Sequence, residues 1–288
     1  MISVIIPTYN RADRIKLSAE SVLKQTYRDI ELIIVDDGSD DNTEEVVRSL
    51  NDDRVIYIRQ KNSGACAARN NGILHARGEY IAFQDSDDKW RRDKLEKQLE
   101  CMKEYNADVC FCKMKRANYA ANKAVYFPDI PRGTVEYSSL LAESLVSTQT
   151  ILAKRAAFDE FKFDVRVKAR QDWDWTIRAA GKYSFCFDDD VLVDVYLQND
   201  SITANQNHEK IAKTLMQIYS KYKYLFKDYP VFQVNLLEQI AYQKTRISPA
   251  YAPEYRRKYR ITRSKADLAK TILSKLRLLH LFYNIKLK

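Results

Sequence analysis

Short apolar runs alternate with amphipathic segments over the first hundred residues of the chain. The apolar runs are Ile2–Ile6, Ile30–Val35, Val55–Ile58 and Glu79–Phe83. Their β-branched residues and short lengths predict strands that are buried on both faces. The segments between them, with apolar residues at helical spacing, are Ala12–Gln25, Asp41–Leu50 and Ala65–Ala76. This alternation predicts an α/β fold with a right-handed, mostly parallel sheet flanked by helices.

Polar clusters follow three of these predicted strands. They are Pro7-Thr8-Tyr9-Asn10, Asp36-Asp37 and Asp85-Ser86-Asp87. In open parallel sheets, ligands bind beyond the carboxyl ends of the strands, so these clusters are expected to line one edge. Gly38 follows the second cluster and can adopt the positive φ that a tight turn requires.

The third cluster crowds carboxylates at Asp85, Asp87 and Asp88. Like charges this close raise one another's pKa, whereas Mg2+ or Mn2+ would be held by one or two of them together with a substrate's phosphates. A solvated turn or a helix N-terminus is the alternative, with Asp88 capping a helix that begins near Lys89. The chain contains neither GxGxxG nor GxxxxGK[ST], so the Gly-rich phosphate loops are absent from the sequence.

The pattern becomes less regular after the first hundred residues. A charged helix is predicted over Asp93–Tyr105, a strand over Val109–Cys112 and a loop over Ala117–Thr134. The block from Arg170 to Trp175 opens another predicted helix, which runs to about Ala180. Two amphipathic helices are predicted further on, over His208–Phe226 and Val231–Ile247.

The composition is that of a globular protein, with 45% hydrophobic and 30% charged residues. No apolar run reaches about 18 residues, and the first residues lack the features of a signal peptide, so a cytoplasmic location is expected. The five cysteines form no CxxC pair, which predicts small core residues rather than a zinc site. The three histidines are far apart in the sequence and are predicted to be packing or surface residues.

The positive charge of the chain is concentrated at its end. Residues Glu254–Lys288 carry eleven Lys and Arg against two acids, which equals the net charge of +9 of the whole chain. The segment Lys265–Lys288 predicts a basic amphipathic helix that attaches to an anionic membrane surface. A helix packed on the protein, or a homodimer contact, is the alternative. Nucleic-acid binding is not expected, because the segment offers only generic charge.

Four motifs occur in a fixed order in the first half of the sequence: SVIIPTYNR, VDDGSDDNT, NSGACAARNNGI and GEYIAFQDSDD. In order and spacing they resemble the N-terminal half of family 2 glycosyltransferases with the GT-A fold, strongly over residues 1–100 and more loosely over 140–205. The resemblance implies a catalytic domain over residues 1–205, with a nucleotide-sugar-binding half (1–100) and an acceptor half (101–205). Residues 206–288 would then form a basic helical extension.

The resemblance also implies roles for individual residues. Pro7 and Tyr9 would lie against the nucleotide base, with Asp37 accepting a hydrogen bond from base or ribose. The nucleotide wall would be completed by Asn62, Gly64 and Arg69. These roles suit the chemistry of the side chains, although Arg69 would also fit a helix-surface salt bridge.

The sequence Asp85-Ser86-Asp87 would be the DxD motif of the family. Asp85 would reach the ribose or a metal-bound water, and Asp87 would ligate the Mn2+ or Mg2+ that bridges the donor's diphosphate. The region from Val195 to Thr203 lacks the Arg and His that many relatives carry there, so a third metal ligand is not assigned.

Asp172 matches the catalytic base of the family. Asp174, two residues on, lies on a different helical face and is the weaker candidate. Trp173 and Trp175 would stack on sugar faces or pack under the helix. Gln171 stands where Glu is usual, which removes a charge near the acceptor.

The activity implied by the resemblance is a metal-dependent, inverting transfer of a hexosyl or N-acetylhexosaminyl group. The donor would be a nucleotide-diphosphate sugar, with uridine favoured over thymidine by the resemblance alone, and the acceptor a hydroxyl of a glycan or lipid-linked glycan. The alternative is a non-catalytic, nucleotide-sugar-binding accessory subunit of a polysaccharide assembly, motivated by Gln171 and the missing Arg and His.

Overall fold

A computed structural model of the chain describes residues 1–118, 123–196, 207–247 and 253–275. Two compact units are present. The first comprises Met1–Leu140, Ser144–Arg166 and Gln171–Ala204, and the second comprises Leu141–Glu143, Val167–Arg170 and Asn205–Lys288.

The strands of the described residues are β1 (Ile2–Thr8), β2 (Ile30–Asp36), β3 (Val55–Arg59), β4 (Tyr80–Phe83), β5 (Lys89–Trp90), β6 (Val109–Asn118), β7 (Lys123–Phe127), β8 (Gly133–Thr134), β9 (Ile151–Lys154) and β10 (Phe185–Tyr196). The helices are α1 (Ile15–Leu23), α2 (Thr43–Arg48), α3 (Ala65–His75), α4 (Lys94–Glu104), α5 (Tyr137–Ala142), α6 (Arg155–Glu160), α7 (Gln171–Ala179), α8 (His208–Lys221), α9 (Pro230–Ile247), α10 (Pro253–Thr262) and α11 (Lys265–Lys275). Short 3-10 turns occupy Thr148–Thr150 and Lys223–Phe226.

The strands form one sheet in the order β3-β2-β1-β4-β9-β6-β10-β5, with β7 added on β6 and β8 on β10. The seven elements predicted for the first hundred residues are all present, and their ends differ from the prediction by up to three residues. The four strands β3, β2, β1 and β4 are mutually parallel, as the alternation predicts.

The second half of the sheet adds antiparallel pairs to the predicted, mostly parallel arrangement. Strand β9 lies antiparallel between β4 and β6, so it joins the parallel N-terminal strands to the parallel pair β6 and β10. The predicted loop over Ala117–Thr134 is wrong in part, because β7 pairs antiparallel with β6. Residues 119–122 of that segment lie outside the described residues.

Buried residues on the two faces of β1 and β2 separate into two apolar clusters. Val4 and Ile6 belong to the cluster beneath α1 and α4, whereas Ile5 and Ile33 belong to the cluster that contains α3. This period of two is the alternation of side chains along a strand that has helices on both faces. Both faces of these strands are therefore buried, and the polar clusters follow the strand ends.

In the second unit, the predicted helices over His208–Phe226 and Val231–Ile247 are confirmed as α8, with its following 3-10 turn, and α9. Lys258 lies between two carboxylates, 2.8 Å from Glu238 and 2.9 Å from Asp267, and Lys270 also contacts Glu238. These pairs tie α10 and α11 to α9. Residues 276–288 of the predicted basic helix lie outside the described residues.

A helix that spans a bilayer needs about 20 consecutive, mostly apolar residues. Over the described residues, no helix is both long enough and apolar enough to cross a bilayer.

Candidate active site

The ends of β1, β2 and β4 meet at one edge of the sheet. Thr8 is the register partner of Asp36, and the Asp37 N–H donates a 2.8 Å hydrogen bond to the Thr8 carbonyl. On the other side of β1, the Gln84 N–H donates to the Ile5 carbonyl at 3.0 Å. The polar clusters that follow the three strands therefore share one edge, as the sequence predicts.

A cleft of about 470 Å³ opens at this edge. Nine residues predicted from the sequence line it: Pro7, Tyr9, Asp37, Asn62, Gly64, Arg69, Asp85, Ser86 and Asp87. Asp172, the predicted base, is not among the described residues that line this cleft. The cleft belongs to the first unit.

The carboxylate of Asp37 is buried and organises the loop that forms one wall. It accepts hydrogen bonds from the Gln60 side chain (2.7 Å) and from the N–H groups of Ser63 (2.8 Å) and Gly64 (2.7 Å). Gly38 has the predicted positive φ, +83°, and a Cβ there would lie 3.1 Å from the Asn62 nitrogen. Asp37 thus holds the wall in place, and the remaining lone pairs of its carboxylate could still accept a bond from a ligand.

Arg69 and Asp85 form a partly buried ion pair in the lining of the cleft. The Arg69 Nη2 atom lies 2.8 Å from Asp85 Oδ1, and its guanidinium carbon lies 5.8 Å from the centroid of the Phe163 ring. Arg69 thus forms the salt bridge that the alternative predicted, but the residue is only 8% exposed and does not lie on the helix surface. Its Nε–H has no hydrogen-bond partner among the described residues, which leaves a donor for an anionic ligand.

Two further carboxylates of the acidic cluster are electrostatically strained. Burial raises the pKa of Asp87, and the charge of Asp85 raises it further, against the opposing effect of Arg11. The pKa of Asp88 is raised well above its usual range, first by burial and then by Asp85 and Asp87. Such a set of oxygen ligands fits a hard divalent cation, which would relieve the repulsion.

Asp88 does not cap a helix at Lys89. Residues Lys89–Trp90 form strand β5, paired with β10, and the next helix begins at Lys94. The Asp88 carboxylate faces the cleft and accepts a long, 3.4 Å hydrogen bond from the Tyr196 N–H. The capping alternative is therefore wrong.

The side of the cleft at the end of β1 combines an exposed ring with buried residues. Tyr9 is 44% exposed and can offer a face to a planar ligand, whereas Pro7 is buried at the end of β1. Between them, Thr8 is buried, and its Oγ1 has no hydrogen-bond partner among the described residues. A buried, unsatisfied hydroxyl in a cleft suits a ligand contact.

Six lining residues were not predicted as site residues from the sequence, and Asp88 was left open between a metal ligand and a helix cap. The six are Thr8, Arg11, Ala65, Gln149, Val195 and Tyr196. Thr8 stands inside the motif SVIIPTYNR and Arg11 is its last residue, so their position was a usable signal. Gln149 and Tyr196 lie far from these motifs in the sequence, and no local sequence pattern identifies them as site residues.

Helix α7 carries the predicted base at its first turn. Asp172 is half-buried, and its Oδ1 accepts a 2.9 Å hydrogen bond from the Trp173 N–H. Trp173 donates from its indole to the Leu140 carbonyl at 2.9 Å, and Trp175 stacks on Phe158 at a centroid distance of 4.4 Å. Both indoles are at most 1% exposed, so the interpretation that they stack on sugars is wrong and the packing alternative is confirmed.

Asp174 has a structural role. It is fully buried and lies 3.1 Å from Arg178, one turn along the same helix. Of the region from Val195 to Thr203, Val195 and Tyr196 line the cleft. Residues 197–203 lie outside the described residues, so the assignment of no third metal ligand in this region stays a prediction.

A comparison with protein-family models places these features in a known family. The model described as Glycosyl transferase family 2 matches residues 3–160, more than half of the chain. The matched segment contains the three strand ends and the acidic cluster. The chain belongs to glycosyltransferase family 2.

Two curated relatives of this family 2 glycosyltransferase come from bacteria. The chain is 33% identical over 227 residues to the putative teichuronic acid biosynthesis glycosyltransferase TuaG of Bacillus subtilis, covering 76% of this chain and 87% of TuaG. It is 34% identical over 164 residues to WfgD of Escherichia coli, named UDP-Glc:alpha-D-GlcNAc-diphosphoundecaprenol beta-1,3-glucosyltransferase, covering 57% of this chain and 64% of WfgD.

Solved structures share the GT-A fold of the chain. Staphylococcus aureus TarS (residues 1–349), in complex with UDP-GlcNAc, has a TM-score of 0.68 at 20% identity, covering 95% of this chain and 79% of that one. The mannosyltransferase PcManGT of Pyrobaculum calidifontis, in complex with GDP-Man and Mn2+, has a TM-score of 0.62 at 17% identity, covering 96% and 84%. The chain is therefore a GT-A glycosyltransferase with a helical C-terminal region.

Proposed function

We propose that this glycosyltransferase performs a metal-dependent, inverting transfer of a hexosyl or N-acetylhexosaminyl group from a UDP-sugar to a hydroxyl of a lipid-linked glycan. One observation carries the proposal. The nine residues expected to hold a nucleotide-sugar and its cation come from separate stretches of the chain and line a single cleft.

The donor would lie along the edge of the sheet. Tyr9 offers its exposed ring to the base, the wall organised by Asp37 presents Asn62 and Gly64, and Arg69 pairs with anionic oxygens. TarS was solved in complex with UDP-GlcNAc, which supports a UDP-sugar for this chain. Thymidine remains the alternative base.

Asp85 and Asp87, with Asp88 beside them, would hold Mn2+ or Mg2+. Their mutual repulsion and the raised pKa of Asp87 fit a site in which a cation supplies the missing positive charge. When bound, the cation stabilises the leaving diphosphate so that its departure needs no protonation. PcManGT was solved with Mn2+ as well as GDP-Man, which supports this choice.

Asp172 would remove the proton from the acceptor hydroxyl as the oxygen attacks the anomeric carbon opposite the diphosphate. The new carbon–oxygen bond forms as the bond to the diphosphate breaks, and a single carboxylate suffices because the leaving group needs no acid. In this proposal Asp172 would act on the acceptor, and the cleft at the edge of the sheet would hold the donor.

The acceptor assignment follows from a relative. The name of WfgD specifies a diphosphoundecaprenol-linked acceptor, and TuaG is named for teichuronic acid biosynthesis. A lipid-linked acceptor would place this chain at the cytoplasmic face of the membrane, as a peripheral protein. A homodimer contact through the C-terminal region remains the alternative to the membrane contact.

The first experiment measures thermal stabilisation by UDP with and without Mn2+, because ligands that bind the folded state raise its stability. We expect UDP to stabilise the chain more with Mn2+ than without it, and Asp87→Asn to lose that difference. Asp53→Asn makes the same change in charge at an exposed position and should behave as the wild type. Equal stabilisation of Asp87→Asn and wild type by UDP with Mn2+ would refute the metal assignment.

The second experiment separates the enzyme from the accessory-subunit alternative, which Gln171 continues to motivate. UDP-glucose and UDP-GlcNAc are each incubated with the chain, Mn2+ and diphosphoundecaprenol-linked GlcNAc, and released UDP and extended lipid are measured. An enzyme produces both. A chain that binds UDP with Mn2+ but releases none would be the non-catalytic binder.

A further inference from the structure

Three cysteines from distant parts of the sequence meet in the core of the first unit. Cys110 on β6 and Cys186 on β10 are register partners in a parallel pair, and Cys101 on α4 faces them. The three sulfur atoms lie within 4.8 Å of one another, and the Cys101 and Cys186 sulfurs are 3.5 Å apart. All three residues are fully buried.

The surroundings of this thiol trio (Cys101, Cys110 and Cys186) favour negative charge on the Cys101 sulfur. The pKa of the Cys101 thiol is lowered by the hydrogen bonds it shares with Cys110 and Cys186 and by the nearby Arg132 guanidinium, whereas the pKa of Cys110 is raised by burial and that of Cys186 by its hydrogen bond with Cys101. Arg132 also lies 3.0 Å from Glu104 at the end of the same helix. A cation thus stands beside the trio, where a lone thiolate would otherwise be poorly solvated.

The spacing of the sulfurs suits one soft metal ion. Zinc binds thiolates at about 2.3 Å, so sulfurs in a tetrahedral site are separated by roughly 3.8 Å. Three thiolates around a dication leave one negative charge, which Arg132 can offset. Asp188 follows Cys186 by two positions on the same strand, so β10 offers a buried carboxylate on the same side.

We propose that Cys101, Cys110 and Cys186 bind a thiophilic divalent cation of the zinc class, at a structural site separate from the cleft. Binding forms three metal–sulfur bonds and releases to solvent the protons of those sulfurs that are still thiols, without oxidation or reduction. The ion would cross-link α4 to β6 and β10. The thiol ligands select against the hard cations expected in the cleft, and this inference does not depend on the proposed function.

The test uses the full chain and Cd2+, whose thiolate complexes absorb in the ultraviolet. We expect one Cd2+ per chain, a thiolate-to-metal charge-transfer band and an increase in the thermal unfolding midpoint. Cys101→Ser, Cys110→Ser and Cys186→Ser should each weaken Cd2+ binding at least tenfold. Cys66→Ser, which changes a buried cysteine in a different cluster, should leave the band unchanged.

Three results would overturn the proposal: no band in the wild-type chain, a band that survives in Cys186→Ser, or a band lost in Cys66→Ser. Because a serine variant can fail to fold, circular dichroism is measured for each. In addition, the wild-type chain should release thiol protons in weakly buffered solution as the Cd2+ band develops. Absence of proton release contradicts the site even where no variant folds.

Two further measurements distinguish this site from the cleft. Asp87→Asn should keep the Cd2+ band, because the thiols are untouched. Cys186→Ser should keep the additional stabilisation that UDP shows with Mn2+. Loss of the band in Asp87→Asn would assign the Cd2+ signal to the cleft and refute the thiol site.

Discussion

The aspartates at the edge of the sheet have different partners, and the partners set what each can do. Asp36 is buried and accepts hydrogen bonds from the Tyr57 hydroxyl (2.6 Å) and the Ser39 N–H (2.8 Å). Asp37 accepts hydrogen bonds from the loop that follows β3, and Asp85 forms an ion pair with Arg69. Burial and neighbouring carboxylates raise the pKa of Asp87 and Asp88, so these two are the side chains whose charge a cation would best relieve.

The pH dependence of stability should report this strain. Because folding raises the pKa of Asp88, the folded chain binds more protons than the unfolded chain at pH values between the ordinary and the raised pKa. The resulting destabilisation is complete above the raised pKa and is relieved as pH falls toward the ordinary value of about 4. We expect Asp88→Asn to have a higher free energy of unfolding than the wild type at pH 7 without metal.

That difference should shrink on acidification, measured by urea denaturation at several pH values. Comparing variant with wild type cancels the carboxylates whose pKa is lowered elsewhere in the chain, such as Glu31. Added Mn2+ should stabilise the wild type more than Asp88→Asn. An Asp88→Asn chain that is less stable than wild type at pH 7 without metal would contradict the predicted repulsion.

The base assignment is also tested at a single residue. Asp172→Asn keeps the size and the hydrogen bond of the side chain but cannot accept the acceptor's proton. We expect turnover to fall about 100- to 10,000-fold, the usual contribution of a general base, with UDP binding unchanged. Released UDP and thermal stabilisation by UDP are the two readouts.

Asp159→Asn is the matched control, since Asp159 is an exposed residue on α6 that pairs with Arg155. Its turnover should equal that of the wild type. Wild-type turnover in Asp172→Asn would require a different base. This outcome is an important test because Asp172 is not among the described residues that line the cleft.

At the scale of elements, the site depends on how closely α3 approaches β1. A Cβ placed on Gly72 would lie 2.5 Å from the Cγ2 atom of Ile5, a distance that side chains do not tolerate. Helix α3 carries Arg69 and begins directly after Gly64, so its position against the sheet sets the position of one wall of the cleft. The glycine is required by the packing of the helix.

We therefore expect Gly72→Ala to lower the free energy of unfolding by about 1–3 kcal/mol, the usual cost of overpacking. In an Ile5→Ala background, the same substitution should cost much less, because the clashing methyl groups are gone. Denaturant unfolding of the four proteins in this double-mutant cycle gives the coupling energy. A coupling energy near zero would show that Ile5 is not what excludes a side chain at position 72.

At the scale of the whole molecule, the basic C-terminal region contains cations that have structural partners. Lys258 and Lys270 are engaged in ion pairs with Glu238 and Asp267, so these two cations hold the second unit together. The proposed membrane contact would use the basic residues of the sequence after residue 275. A truncation at Pro253 would remove α10 and α11 and disturb α9.

The membrane proposal is best tested with a chain that ends at Lys275. We expect the full chain to float with vesicles of anionic lipid, and the shortened chain to float less, because part of the electrostatic attraction is removed. High salt and neutral vesicles should abolish flotation of both. Equal flotation of the two chains on anionic vesicles would exclude residues 276–288 as the membrane contact.

Much of the fold over residues 1–100 could be predicted because the sequence signals of its strands and helices are local. Buried parallel strands are continuous apolar runs, and the residues that follow them are brought to one edge by the fold class itself. Pro7, Asp37 and Asp85 can therefore be placed at that edge from the sequence. The ordered set of four motifs indicated the family, since no single motif is specific enough to do so.

Only the tertiary structure decided which distant residues meet. Long-range strand pairing and helix packing insert β9 antiparallel into the sheet and bring Gln149 and Tyr196 to the cleft. They also bury Trp173 and Trp175 and bring the thiol trio together. These contacts leave no periodic signal in the sequence, because each partner looks like an ordinary core or loop residue until the fold brings it beside the other.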